Sequence, residues 1–179
     1  MDNDHARPGD LAALRTAFAA GAPALGWDAV RAFEEEHAIV LPEPYRTCVA
    51  EICDGFPAGP PHYGLLPLAA MPLDWGHGRP ERVLAEPFPL TEAWPWEDDE
   101  GGPDDEGVEE FEARLAPVFD HGSIVLGTDG CGMYWHLVVT GAHRGHLWLI
   151  SGEGALPFDG GFAEWVGYWA AGRDWFDAW

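Results

Sequence analysis

Asp129, Cys131 and His136 lie close together in the chain, with His121 and His146 on either side. Together they hold the residue types of a thiol nucleophile, its base and an orienting acid. Such chemistry needs the base within hydrogen-bond reach of the sulfur and something that lowers the thiol pKa. Cys131 and His136 are five positions apart in a segment that reads as a strand, which points their side chains to opposite faces. His121 or His146 could substitute across the sheet, but nothing in the sequence places either at the sulfur. Cys131 therefore reads as a small buried thiol in a tight glycine turn. The chain is expected not to be an enzyme, and an enzyme using Cys131 stays as the least favoured alternative.

Metal and phosphate chemistry fare no better. His62, His77, His121, His136, His143 and His146 are scattered, and His143 and His146 straddle an expected hairpin turn. No two cysteines have the two-residue gap of a zinc knuckle. The acidic run lacks the alternating order of a calcium loop. Gly127, Gly130 and Gly132 superficially resemble a dinucleotide loop, but a strand-like segment follows them. The helix N-terminus that would hold phosphate is missing. No metal and no cofactor are expected.

What remains is recognition. The stretch from Glu97 to Glu110 carries nine carboxylates and no basic residue. Like charges at this density should stay solvated, with the glycine-rich middle mobile. Trp94 and Trp96 adjoin it, and aromatics beside a charged rim have the composition of interface anchors. Core packing is the expectation for at least one of the two, on the reading that they point to opposite sides of the chain. The expected partner-binding residues are Trp94, Trp96, Asp98, Asp99, Glu100, Asp104, Asp105 and Glu106.

The elements that must position these residues follow from periodicity. Asp10 is expected to cap a first helix with Leu11, Leu14 and Phe18 on one side. A second helix is predicted from about Trp27 to His37, with Val30 and Phe33 inward and Glu34, Glu35 and Glu36 outward. Leu41-Pro42 is expected to open a third, along which Tyr45, Cys48, Val49 and Ile52 form an apolar stripe. His62 to Leu68 reads as a strand. Residues 69–110 read as an irregular acidic insertion over the surface, with part of it packed down through Trp75, Trp94 and Trp96. A helical turn is expected over Phe111–Leu115. Strands follow at Ser123–Gly127, Gly132–Thr140 and His146–Ser151, the last two joined by a hairpin through Gly141–Gly145. Phe162, Trp165, Val166 and Trp169 have helical spacing, and both tryptophans are expected under the sheet. The fold class is α+β: one domain over 1–179, a mostly antiparallel sheet flanked by N-terminal helices and a C-terminal helix.

Composition narrows the partner. Of 179 residues, 31 are acidic and nine are arginine, with no lysine, for a formal net charge of −22. Such a surface repels phosphate backbones and anionic lipid, so neither nucleic acid nor membrane is expected as a partner. It attracts basic proteins and speeds their encounter. Ten tryptophans and nine phenylalanines can carry a core despite 23 glycines and 16 prolines. The N-terminus has no apolar run of a signal peptide, and no stretch approaches a membrane span. Three cysteines form no disulfide framework, with Cys48 and Cys53 reading as core residues. A cytoplasmic protein is expected. The lack of Lys and the single Asn3 fit a GC-rich bacterial genome.

Several stretches, in order, resemble the SUKH superfamily, which includes fungal cell-wall synthesis regulators and bacterial immunity proteins. They are the helix pair ending in Leu41-Pro42-Glu43-Pro44-Tyr45-Arg46, followed by Gly55; Tyr63-Gly64-Leu65-Leu66-Pro67-Leu68; Gly127 through Trp135, leading to Val138-Val139-Thr140-Gly141 and Arg144-Gly145-His146-Leu147-Trp148; and Phe162-Ala163-Glu164-Trp165 at the start of the C-terminal helix. They span about Trp27 to Trp169. The resemblance implies helices around a mostly antiparallel sheet and a binding role, commonly neutralisation of a toxin. With the charge, it leads to an immunity-like protein for a basic toxin domain, a nuclease being one candidate. A scaffold or regulator of the same fold is the first alternative.

Overall fold

Arg7 and Pro8 begin the first helix, where proline's fixed φ suits an N-terminal position. The computed structural model describes residues 5–68, 70–73, 75, 82–96 and 107–175. Among these the chain forms α1 Pro8–Ala17, α2 Trp27–His37, α3 Tyr45–Glu51, α4 Val108–Asp120, β1 Ser123–Gly130, β2 Met133–Val138, β3 His146–Ile150, β4 Ala155–Gly161 and α5 Phe162–Ala170. The strands make one antiparallel sheet in the order β1-β2-β3-β4. The α+β class and the N-terminal and C-terminal helices are as expected. No helix among the described residues is long and apolar enough to cross a membrane.

The sheet is buried on both faces. Ile124, Leu126, Trp135, Leu137, Leu147 and Leu149 point into a core shared with α1, α3 and α5. Their strand neighbours Val125, Tyr134, Val138, Trp148 and Ile150 point into a second core, closed by Phe88, Trp96, Phe111, Val118 and Phe119. The insertion is thus more than a surface excursion, because residues 82–96 and α4 together roof the second face. A face left open to water would strand this apolar area, about 25 cal/mol per Å².

Several local expectations change. Asp10 does not cap α1; it lies in the first turn and pairs with Arg7 at 2.7 Å. The third helix starts at Tyr45, after Pro44, and not at Leu41-Pro42. Residues 62–68 are not a strand. Tyr63 and Leu66 each donate one N–H to β1, to the carbonyls of Thr128 (3.2 Å) and Leu126 (2.8 Å). The helical turn at Phe111–Leu115 is the middle of the 13-residue α4. β4 was not anticipated, since Pro157, Gly160 and Gly161 break its pattern; proline is tolerated there because β4 is an edge strand.

Glu34 is the largest departure. It faces inward, 7% exposed, beside the exposed Glu35 and Glu36. Its carboxylate accepts two hydrogen bonds from the Arg46 guanidinium (2.7 and 2.9 Å) and one from the Leu41 N–H (2.8 Å). Arg144, from the β2–β3 hairpin, donates to the carbonyls of Val40 (2.9 Å) and Leu41 (3.0 Å). Two stretches a hundred residues apart in sequence are pinned together at the end of α2. Burial alone pushes the Glu34 carboxyl up, but the Arg46 and Leu41 hydrogen bonds outweigh it and hold it below its ordinary value.

Candidate partner-binding site

Trp94 and Trp96 sit where the insertion meets the edge of β4. The Trp94 N–H donates to the Ala155 carbonyl (2.9 Å) and the Ala155 N–H donates back (3.0 Å), which adds a short extension to the sheet. The Trp96 indole N–H donates to the Gly152 carbonyl at 2.7 Å, and its ring is buried in the second core. Trp96 is therefore a core residue that holds the insertion down. Trp94 is half-buried. Its ring meets that of Trp96 at 5.3 Å, so the two do not point to opposite sides; positions two apart in an extended chain share a face. The Arg114 guanidinium of α4 lies 4.6 Å from the Trp94 ring centre, with exposed Glu109, Glu110 and Glu112 on the same helix. Asp98, Asp99, Glu100, Asp104, Asp105 and Glu106 lie outside the described residues. Only Trp94 of the expected set can be placed at an accessible surface.

A second candidate surface lies at the tip of the β1–β2 hairpin. Here a groove of about 540 Å³ is bounded by His62 and Tyr63, by Asp129 and Met133, and by Trp169 on α5 and Trp175 beyond its end. The glycines of the resemblance build it. A Cβ on Gly127 would fall 2.5 Å from both the Gly64 carbonyl oxygen and the Pro61 ring, so only glycine lets the 57–64 loop lie on β1. Gly130 has φ +87, and a Cβ there would press to 2.9 Å from the Tyr63 ring. Asp129 then bolts the loop to the sheet, accepting from the His62 N–H at 2.8 Å and the Trp135 indole N–H at 2.7 Å. Asp129 thus has a structural task and is not an orienting acid for Cys131.

The thiol reading changes in one respect. Cys131 is exposed at the turn with φ +53, where it was expected to be buried. His136 is fully buried in β2, so the two are separated by burial as well as by direction. Cys48 and Cys53 are buried in the first core as expected. A thiol-reactive dye should therefore label one cysteine per chain quickly in the native protein, and all three only after denaturation. Cys131→Ala should remove the fast phase and leave the other two, which a thiol titration checks.

One constellation escaped sequence reasoning. The Ser123 hydroxyl lies 2.9 Å from His136 Nδ1, with Asp120 and Arg82 close by. Ser123 and His136 are fully buried and Asp120 is 4% exposed, so no substrate reaches them. Arg82 reaches from the insertion to the Ser123 carbonyl and hydroxyl and stacks on Trp75 at 5.6 Å. Burial pushes its guanidinium down to about 10, against the opposing field of Asp120. The cluster fastens the insertion to β1. His136 alternates with apolar neighbours and looks like a solvent-side residue until the insertion covers it. No group of three or more metal-capable side chains occurs among the described residues.

A fold with this sheet, these helices and this hairpin defines an α+β domain whose polar clusters are structural and whose open features are surfaces. The model of the SMI1/KNR4 family (SUKH-1) matches residues 27–177, most of the chain, and the protein belongs to that family. The family includes toxin-immunity proteins and is generally regulatory or protective, not enzymatic. No curated protein and no solved structure matches the chain.

Proposed function

We propose that this protein is an immunity-type binding protein that captures and neutralises a basic toxin domain. On this reading the whole chain acts as one such domain in the cytoplasm, and it offers carboxylates where a nuclease would otherwise meet phosphates. The observation that carries the reading is the charge: 31 acidic residues against nine arginines in a SUKH-1 chain. Charge of this size speeds the encounter with a basic protein and disfavours nucleic acid and anionic lipid. Asp98, Asp99, Glu100, Asp104, Asp105 and Glu106 supply the steering field, and Trp94 is the aromatic anchor beside them. Trp96, buried, supports Trp94 and is dropped as a direct contact.

The test begins with the product of the adjacent gene, co-expressed and co-purified with this chain. Association and dissociation rates are then measured at low and physiological ionic strength. Changing the six acidic residues to Ser or Gln should slow association about tenfold at low salt and flatten its salt dependence, since screened steering acts mainly on the encounter. The dissociation rate should change little. Equal association rates at every ionic strength would show that the run only keeps the protein soluble.

A further inference from the structure

The groove at the hairpin tip has a composition that points to one kind of occupant. Tyr63 is 66% exposed, an unusual position for so large a ring, yet it is not loose. Its ring rests on Gly130 and meets the His62 ring edge-on at 5.0 Å. Across the groove Trp169 is half-buried and fixed by Phe18 (6.4 Å) and Phe56 (5.8 Å). Trp175, 6% exposed, closes the floor with its indole N–H on the Trp165 carbonyl at 3.3 Å. Rings held in this way recognise a ligand with little loss of entropy.

The charge around these rings selects among ligands. Asp129 and Asp174 border the groove, opposed by Arg173. Arg173 lies 3.8 Å from the Tyr168 ring centre, which holds its single positive charge to that side of the rim against the two carboxylates. An anionic ligand meets a chain of net charge −22. A flat cation meets aromatic walls and carboxylates, the two groups on which a guanidinium stacks and pairs. The protein makes the same contact elsewhere, with Arg46 on Trp27 at 5.2 Å and Arg114 on Trp94 at 4.6 Å. No guanidinium of the described residues lies over Tyr63.

We infer that the groove between Tyr63, Trp169 and Trp175 receives an arginine side chain of the basic partner. The inference rests on the proposed function for the source of that arginine, and it adds a docking surface distinct from the Trp94 edge. Steering and docking are then divided between two places. The acidic run raises the encounter rate, and the groove holds one defined side chain.

The experiment needs no partner. The indole N–H resonances of the ¹⁵N-labelled protein are followed by NMR while N-acetyl-arginine-N-methylamide is added at constant ionic strength. N-acetyl-citrulline-N-methylamide, of the same shape without the charge, is the control. The Trp169 and Trp175 signals should move with the arginine derivative at millimolar concentration, and citrulline should need about tenfold more. Tyr63→Ala should weaken the arginine response about fivefold, whereas Tyr63→Phe, which keeps the ring face, should leave it nearly unchanged. Tyr63 is exposed enough that neither change should disturb folding. Equal responses to arginine and citrulline, movement of the Trp94 signal alone, or no effect of Tyr63→Ala would each overturn the assignment. A positive titration in a protein that captures no basic partner would overturn the proposed function and leave the groove standing. Capture of a basic partner that survives Tyr63→Ala unweakened would do the reverse.

Discussion

Replacing Trp165 by alanine is expected to cost about 3–5 kcal/mol of unfolding free energy, as for other buried large aromatics. Trp165 is fully buried on α5, where the helix closes the first face of the sheet. Its ring stacks on Trp175 at 5.3 Å and meets Trp135 at 5.5 Å and Phe162 at 6.2 Å. Three rings around the vacated space cannot collapse into it, because each is held by other neighbours. Trp135 also packs against Phe158, and Phe162 against Tyr45. The cavity therefore persists and its cost stays high. Domains of this size are stable by only about 5–15 kcal/mol, so the variant should sit near its limit. Urea unfolding of both proteins measures the difference. Trp169→Ala should cost clearly less, because Trp169 is only half-buried where the spacing alone had both rings under the sheet. Equal losses for the two variants would mean that α5 packs through a different face.

Glu34→Gln is the second large effect, expected at about 3 kcal/mol near neutral pH. The substitution keeps an acceptor for the Leu41 N–H but removes the charge that balances Arg46. Breaking one side of a buried pair leaves the other charge uncompensated. The loss stays toward the lower end because the Arg46 side chain is 27% exposed and lies on the Trp27 ring. The pH dependence separates this pair from a merely packed glutamate. Glu34 is held below its ordinary carboxyl value when folded, so the folded state binds fewer protons than the unfolded one as acid is added. Its contribution is complete above the unfolded value of about 4.5 and disappears as pH falls through the lowered folded value. Wild type and Glu34→Gln should therefore differ most at neutral pH and converge in acid. A difference that stays constant from neutral to acid would show that the charge of Glu34 contributes nothing.

Much of this protein is written locally. The α2 boundaries, Trp27 to His37, come from a run of helix formers between Gly26 and a left-handed Ala38. The Gly141–Gly145 turn between two alternating strands marks the β2–β3 hairpin. Cys48 falls on the apolar side of a short helix and Cys53 two residues past its end, and both are buried in the first core. Gly127 and Gly130 mark a place where another backbone or ring comes close, although nothing local says that the visitor is the 57–64 loop. The charge that underlies the proposed partner is a property of composition alone.

Tertiary structure decided what covers each face. Periodicity reports the direction of a side chain, not what lies beyond it. Glu34 looks like its neighbours Glu35 and Glu36 until Arg46 and the Leu41 N–H arrive to satisfy it. His136 looks like a polar residue on an open strand until residues 82–96 and α4 close the second face. Trp96 resembles Trp94 in sequence and differs because its ring enters the second core while its indole N–H reaches the carbonyl of the exposed Gly152 at the rim. Cys131 was expected to be buried because thiols usually are, but the hairpin tip extends past the packed layers and leaves it in water. The groove at that tip joins residues 62–63, 129–133 and 169–175, and no window along the chain contains all three. Its walls exist only because distant apolar surface had to be buried, and that requirement acts on area in three dimensions, not on neighbours in sequence.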